Sequence, residues 1–449
     1  MNAQAIPLVN RHVGGRSGDL AMASIVARER QKSLMLRAWI AAGLFFMALP
    51  GTLLGFSNLM AIATHHGLGA LSPAWIQGHG HAQVFGWIGS FILGIGFYSQ
   101  PARNDRSPLR LPLACFLLWT VGVALRWTAN IYGWHWRVLL PFSASMELLA
   151  IVLFLTAASQ HKLPEGGPKN TQRPKVELWM TTVLVGTAGL TVAILFNFVE
   201  CVRLALAGSV PARPHALDQR YLVLLAWGFL VPFVWGFSAR WLPSFLAIPR
   251  PNAKLMKAAL VLVVAGVLAG LDGFTLAATL LLLPSALLIA PALHLAERPR
   301  GKAKVQGIHP SFPVFARLSY LWLAIAAALG VWAALADQHG GIWGASRHAL
   351  TVGFAANMVF TIGPRILPHF AGVRKLFSRR LMLLSLVLLQ VGCALRVASE
   401  PLAYEGIFQF AWKTLPISGM LELSAVLVFA LNLGLTVLAG QSAFAEAQA

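Results

Sequence analysis

The sequence predicts an all-α fold, a polytopic membrane bundle of about twelve transmembrane helices with internal repeats. Three observations predict it. Hydrophobic residues fill 57% of the 449 positions and charged residues only 11%, with a mean hydropathy of +0.68. Soluble domains carry roughly a quarter charged residues, so this chain has too few to cover a water-facing surface. Apolar stretches of about 18 residues or more recur from Leu36 to Gly440, each long enough to cross a hydrocarbon core of about 30 Å. Finally, ordered blocks of the sequence return at nearly constant offsets.

The apolar runs place helices at roughly 37–64, 78–99, 109–129, 136–158, 176–200, 221–243, 254–272, 274–295, 314–336, 346–368, 380–399 and 415–440. The seventh and eighth are separated only by a break at Asp272 and Gly273. Continuous apolar runs without period-two alternation argue against an outer-membrane barrel. The domain reading is a cytoplasmic tail at 1–36, one transmembrane domain at 37–440 and a C-terminal tail at 441–449. The first apolar run is too long for a signal-peptide core.

Arg and Lys mark one side. They occupy the N-terminal tail and the loops after helices two, four, six, eight and ten, whereas the alternate loops are nearly free of them. Arg203, Arg213 and Arg220, between helices five and six, are the exceptions. The positive-inside rule then predicts a multi-pass membrane protein with both termini cytoplasmic. The formal charge of +20 is thus read as loops facing anionic headgroups, with the lipid bilayer as partner and no nucleic acid. Cys115, Cys201 and Cys393, without any CxxC pattern, read as small packing residues.

The repeats are specific. HAQVFGW at His81 returns as HALTVGF at His348, VGVALR at Val121 as VGCALR at Val391, and SASMELLAIVLF at Ser143 as ISGMLELSAVLVF at Ile417. These align Arg126 with Arg396 and Glu147 with Glu422. A weaker third copy aligns Gly228–Phe245 with Gly353–Phe370, matching Arg240 to Arg365 and placing Val223 where the other copies have histidine. Units around 78–158, 221–295 and 346–440 therefore surround a pseudo-symmetry axis, with helices two, six and ten equivalent.

Ligating or ionisable residues inside spans are functional candidates, because lipid leaves them unsatisfied. His79 and His81 lie at the mouth of helix two and His348 at the equivalent depth of helix ten. Imidazoles on facing helices suit haem iron or copper, although histidines also cap helix ends at headgroup level. Residues two apart do not share a helix face, so His79 and His81 should point to different neighbours. Arg126 and Arg396 are candidate propionate anchors, or surface anchors of their helices. Glu147 and Glu422 are candidates for a polar relay, or for interhelical glue. His65, His66 and His369 are secondary candidates, the last about 30 Å from His348 by helical rise. No Walker loop, HExxH or GxSxG is present.

At these blocks the chain resembles the NnrS family of bacterial inner-membrane proteins, which carry a paired-histidine block like His79-Gly80-His81 with Phe85-Gly86, then one like His348 to Gly353 followed by an arginine near Arg365. The resemblance implies a twelve-helix protein, similar in helix count to haem-copper oxidase subunit I. It also implies haem (of b type), with copper, and a link to nitric oxide stress and denitrification. His79, His81 and His348 would be haem or copper ligands, and any enzyme activity would be metal-centred redox chemistry on nitrogen oxides. This chain departs from the family after His81, where Ala82 and Gln83 replace the usual acidic and apolar residues. Haem-copper oxidases place histidines on helices two, six, seven and ten; the sixth and seventh runs here have none, which argues against an oxygen-reducing centre. Repeats and intramembrane Glu147, Glu422 and Asn197 also allow a secondary transporter.

Overall fold

The computed structural model describes residues 16–99, 110–159, 177–370, 373 and 375–446, with side chains described between 27 and 438 except those of 70 and 369. Among them there is no strand. Twelve helices are long and apolar enough to cross a membrane: α1 Ala27–His65, α2 Pro73–Ser99, α3 Arg110–Tyr132, α4 Trp136–Ser159, α5 Leu178–Ala207, α6 His215–Leu246, α7 Ala253–Leu271, α8 Thr275–Ala292, α9 Phe312–Ala336, α10 Gly341–Pro368, α11 Arg379–Tyr404 and α12 Ala411–Leu438. The chain is a multi-pass membrane bundle. Helices α7 and α8 are indeed separate, broken at Gly273, whose φ of +92° is the left-handed conformation that glycine adopts without a Cβ penalty. The first helix starts earlier than its apolar run, because helical backbone extends back to Arg16 through polar residues.

Every span packs against its neighbour in the chain, and α12 returns to α1. Within this closed bundle α2, α6 and α10 are the most enclosed. Over their most apolar windows 56%, 61% and 61% of residues are buried, while no other span exceeds 44%. Backbones approach closely where side chains are absent. A Cβ on Gly189 of α5 would lie 2.1 Å from the Gly228 carbonyl oxygen of α6, so these helices touch main chain to main chain, as small residues allow in membranes.

The repeat is visible in atomic detail. Helices α2, α6 and α10 each contain a π-helical stretch, Ala82–Gly89, Leu224–Leu230 and Ala349–Ala356. Each starts at the residue after His81, Val223 or His348, the positions aligned in the sequence. The α3–α4 and α11–α12 crossings also match. A Cβ on Gly122 would stand 3.1 Å from Glu147 Cγ and 3.2 Å from the Ser143 carbonyl, and one on Gly392 would stand 2.9 Å from Glu422 Cγ and 3.1 Å from the Ser418 carbonyl. A fourth π stretch, Met47–Leu53 in α1, contains Pro50, which cannot donate to the helical ladder and so widens the turn.

Replacing Gly189 by alanine must push α5 off α6, and overpacking of this kind costs about 1–3 kcal/mol. The G189A protein should melt at lower temperature in detergent, whereas alanine at Gly434, where a Cβ would meet nothing within 4 Å, should leave the midpoint unchanged or raised.

Candidate functional site

The widened turn of α1 prepares the place of His79. Pro50 opens the helix, Gly51 follows it, and the His79 ring of α2 hydrogen-bonds through Nδ1 to the Gly51 carbonyl at 2.8 Å. A carbonyl only accepts, so Nδ1 carries the proton and Nε2 of the neutral ring keeps its lone pair. One turn further along α1, Gly55 makes room for the ring: a Cβ there would stand 2.5 Å from His79 Cε1. Gln83, one turn below His79, donates to Thr52 Oγ1 at 2.9 Å, and Thr52 donates to the Met47 carbonyl. The ring is thus fixed from two sides and half-buried.

On α10, His348 is oriented in the same sense. Its Nδ1 contacts the Gly344 carbonyl at 2.9 Å and Glu400 Oε2 of α11 at 3.2 Å. Gly344 is needed here too, since a Cβ would fall 2.5 Å from Glu400 Oε1. Glu400 is held by Arg396 Nη2 at 2.9 Å. A histidine bonded through one nitrogen to a carbonyl or carboxylate presents the other to a ligand in a fixed orientation. The side chain of His348 keeps 26% of its surface accessible, and neither His79 Nε2 nor His348 Nε2 has a partner among the described residues. His348 and Arg396 both lie within electrostatic reach of His79, and His348, Arg396 and Glu400 within that of Glu422. Two histidines, from α2 and α10, thus share one neighbourhood with Arg396, Glu400 and Glu422. Arg396 keeps Nε and Nη1, and Glu422 keeps Oε1, buried and without a partner. Below this level Trp87 of α2 meets Phe360 of α10 edge to face at 6.1 Å.

His81 diverges from His79, as their spacing of two requires. It points to the other side of α2, where its Nε2 is bonded to Glu147 Oε1 of α4 at 2.7 Å and its ring stacks on Phe85 at 4.4 Å. Glu147 also accepts from Asn197 at 3.4 Å; Asn197 Oδ1 accepts from Arg213 at 3.1 Å, and Arg213 donates twice to Asp218. Arg213 lies over the Tyr221 ring at 4.0 Å, and its backbone N–H and carbonyl are bonded by the side-chain amide of Gln77. Arg126, the expected counterpart of Arg396, belongs to this second cluster, is buried, and donates to Cys201 Sγ. Helix α2 therefore separates two polar chambers, and the two arginines serve different ones. Neither arginine pairs with the intramembrane glutamate of its own unit.

The remaining candidates separate cleanly. His65 bonds to the Ala61 carbonyl of its own helix, and His66, at φ +54°, ends that helix and stacks on Trp412 at 5.2 Å; both are helix-end residues. His369 lies where the side chains are not described. His215 begins α6, so that span does carry a histidine, but it is exposed and bonds Gln219 at 3.1 Å. Sequence reasoning missed Glu400. Its signal was the spacing of four from Arg396, which places both on one helix face. Arg213, an exception to the charge pattern, is explained by burial against Asp218. Arg240 and Arg365, aligned by the repeat, both sit over aromatic rings, Trp179 and Phe245.

Fold and site together define an all-α polytopic membrane protein with two histidines, His79 and His348, in one polar neighbourhood. Residues 223–437 match the family model of a domain of unknown function, DUF8744; the match begins at Val223 and covers the second and third repeat units. No curated protein matches the chain.

Replacing Glu147 by leucine leaves His81 Nε2 and Asn197 Nδ2 without their acceptor. An unsatisfied buried polar group costs about 1–3 kcal/mol, so E147L should lower the melting temperature clearly, with E147Q closer to wild type. The same pair of substitutions at Glu422, whose Oε1 is already without a partner, should have the smaller effect.

Proposed function

We propose that this protein binds haem between α2 and α10 and acts in the response to, or tolerance of, nitric oxide in a bacterial inner membrane, with both termini in the cytoplasm. The observation that carries the reading is the shared hydrogen-bonding pattern of His79 and His348. Each spends Nδ1 on a backbone carbonyl and leaves Nε2 free, the arrangement in which neutral imidazoles ligate iron. Three other features fit the same group. The unsatisfied Nε and Nη1 of buried Arg396 suit an anionic propionate, Gly55 gives the His79 ring its place, and His348 keeps part of its surface accessible.

Bound haem would supply one-electron iron chemistry and an affinity for diatomic ligands, and the protein would supply axial ligands and electrostatics. Glu400 fixes the tautomer of His348 and raises the basicity of its free nitrogen. Both imidazoles would be spent on holding the group. That favours electron transfer or sensing over turnover at this site. Copper has less support. Among the described residues no three His, Cys, Asp or Glu side chains converge to hold a metal ion, and His81 is occupied by Glu147. The link to nitric oxide rests on the resemblance to the NnrS family. The membrane orientation rests on the exposed cations Arg250, Lys254, Arg298, Arg300, Arg379 and Arg380, all at the end of the bundle opposite the histidines. The transporter reading is carried by Glu422, whose unpartnered Oε1 could accept a proton or an ion.

Protein purified after expression with adequate haem should show a Soret band and a bis-histidine, low-spin spectrum. His79→Ala and His348→Ala should each abolish that spectrum, while His81→Ala should keep it. G55V, which displaces the His79 ring, should act like His79→Ala in a chain that still folds. Absence of a Soret band, or an equal effect of all three histidine variants, would overturn the assignment. Solute movement into liposomes by haem-free protein, lost in E422Q, would establish the transporter instead.

A further inference from the structure

The middle repeat unit has lost the polar chemistry of the other two. Val223 stands where they have histidine, α8 contains no charged residue, and α7 has only Lys254 and Lys257 near its start. A cavity of about 320 Å³ opens here between α6, α7, α8, α9 and α10, close to the end where α6 and α10 begin. Its inner wall is apolar, formed by Val223, Trp227, Leu282, Ala326 and Gly330 among others, and no carboxylate lines it. Its rim carries one cation, Arg220, with His215 beside it.

Arg220 is the informative residue. It is half-buried and makes no hydrogen bond or ion pair among the described residues. Its guanidinium lies across the α7–α8 turn, with Nη2 2.9 Å from where a Cβ on Gly273 would be. Asp272, next to that glycine, is exposed and does not pair with it. The other two cations of this connection are engaged, Arg203 with Glu200 and Arg213 with Asp218. An arginine kept free at the mouth of an apolar recess offers an anion two parallel donors.

We propose that this cavity binds a single-chain amphiphile, its anionic head held by Arg220 and its apolar tail inserted along α6 toward Trp227. The volume is at the low end of small-molecule sites, about 300–1,000 Å³, which admits one tail and excludes a two-chain phospholipid. The head can be the carboxylate of a fatty acid or the phosphate of a lysophospholipid, since both meet Arg220 through the same oxygens. This site is independent of the haem reading.

The test uses the full-length protein in phosphatidylcholine nanodiscs, titrated with 11-(dansylamino)undecanoic acid and followed by dansyl emission. Saturable binding is expected. Decanoate and a short-chain lysophosphatidate should compete, and whichever competes at the lower concentration identifies the head; decanol should be at least about tenfold weaker. Gly330→Leu grows into the cavity from a position where a Cβ would make only ordinary contacts, 3.5 Å to Ser346 Oγ and 3.6 Å to Thr279 Cγ2, and should abolish binding. R220Q should weaken it about tenfold and R220K much less. Non-saturable partitioning, equal competition by decanol, or binding unchanged in both Gly330→Leu and R220Q would overturn the proposal. The decanol comparison needs no variant and so stands even where a variant folds poorly.

Discussion

The hydrogen bond from His79 Nδ1 to the Gly51 carbonyl is the contact on which the candidate site depends. It exists because Pro50 interrupts the ladder of α1, Gly51 brings a carbonyl within reach, and Gly55 leaves room for a ring. Without that bond the imidazole could rotate and choose either tautomer. With it, Nδ1 carries the proton and Nε2 keeps its lone pair, while on α10 the Nδ1 of His348 is held by Gly344 and Glu400. In hydrocarbon there is no water to satisfy a misdirected polar group, so each orientation has to be built from backbone and side chains of the bundle itself.

One architecture repeated three times has been specialised in three ways. In the first unit histidine and glutamate satisfy each other, and the cluster extends through Asn197 and Arg213 to Asp218. In the third unit the same histidine position turns to a glutamate on α11, and the glutamate homologous to Glu147 is left with an unpartnered oxygen. In the second, both groups are gone. The differences follow from small changes. Glu400 competes for His348 as nothing does for His81, and valine at 223 removes any reason to keep a buried charge nearby.

Much of this was legible in the sequence. Helix positions, the break at Asp272 and Gly273 and the repeat come from hydropathy and offsets, because in lipid a span must be long, apolar and internally bonded. The divergence of His79 and His81 follows from a spacing of two. What spacing could not give was the partner each ring would choose. Glu147 is 66 residues from His81 in sequence, and which of two glutamates reaches a histidine depends on where glycines let helices approach. Glu400 went unnoticed because it lies at a helix end, where a carboxylate ordinarily meets headgroups. The π turns were invisible because an i→i+5 turn leaves apolar composition unaltered.

Those turns have a historical consequence. A π turn is commonly a helix that has accommodated one additional residue, and three of them at the same register are most simply one event rather than three. The widened turn is then a property of the repeated unit itself and not of any one site built on it. The wide turn of α1 has no counterpart in α5 or α9, so it belongs to the first unit alone, the one whose α2 carries His79.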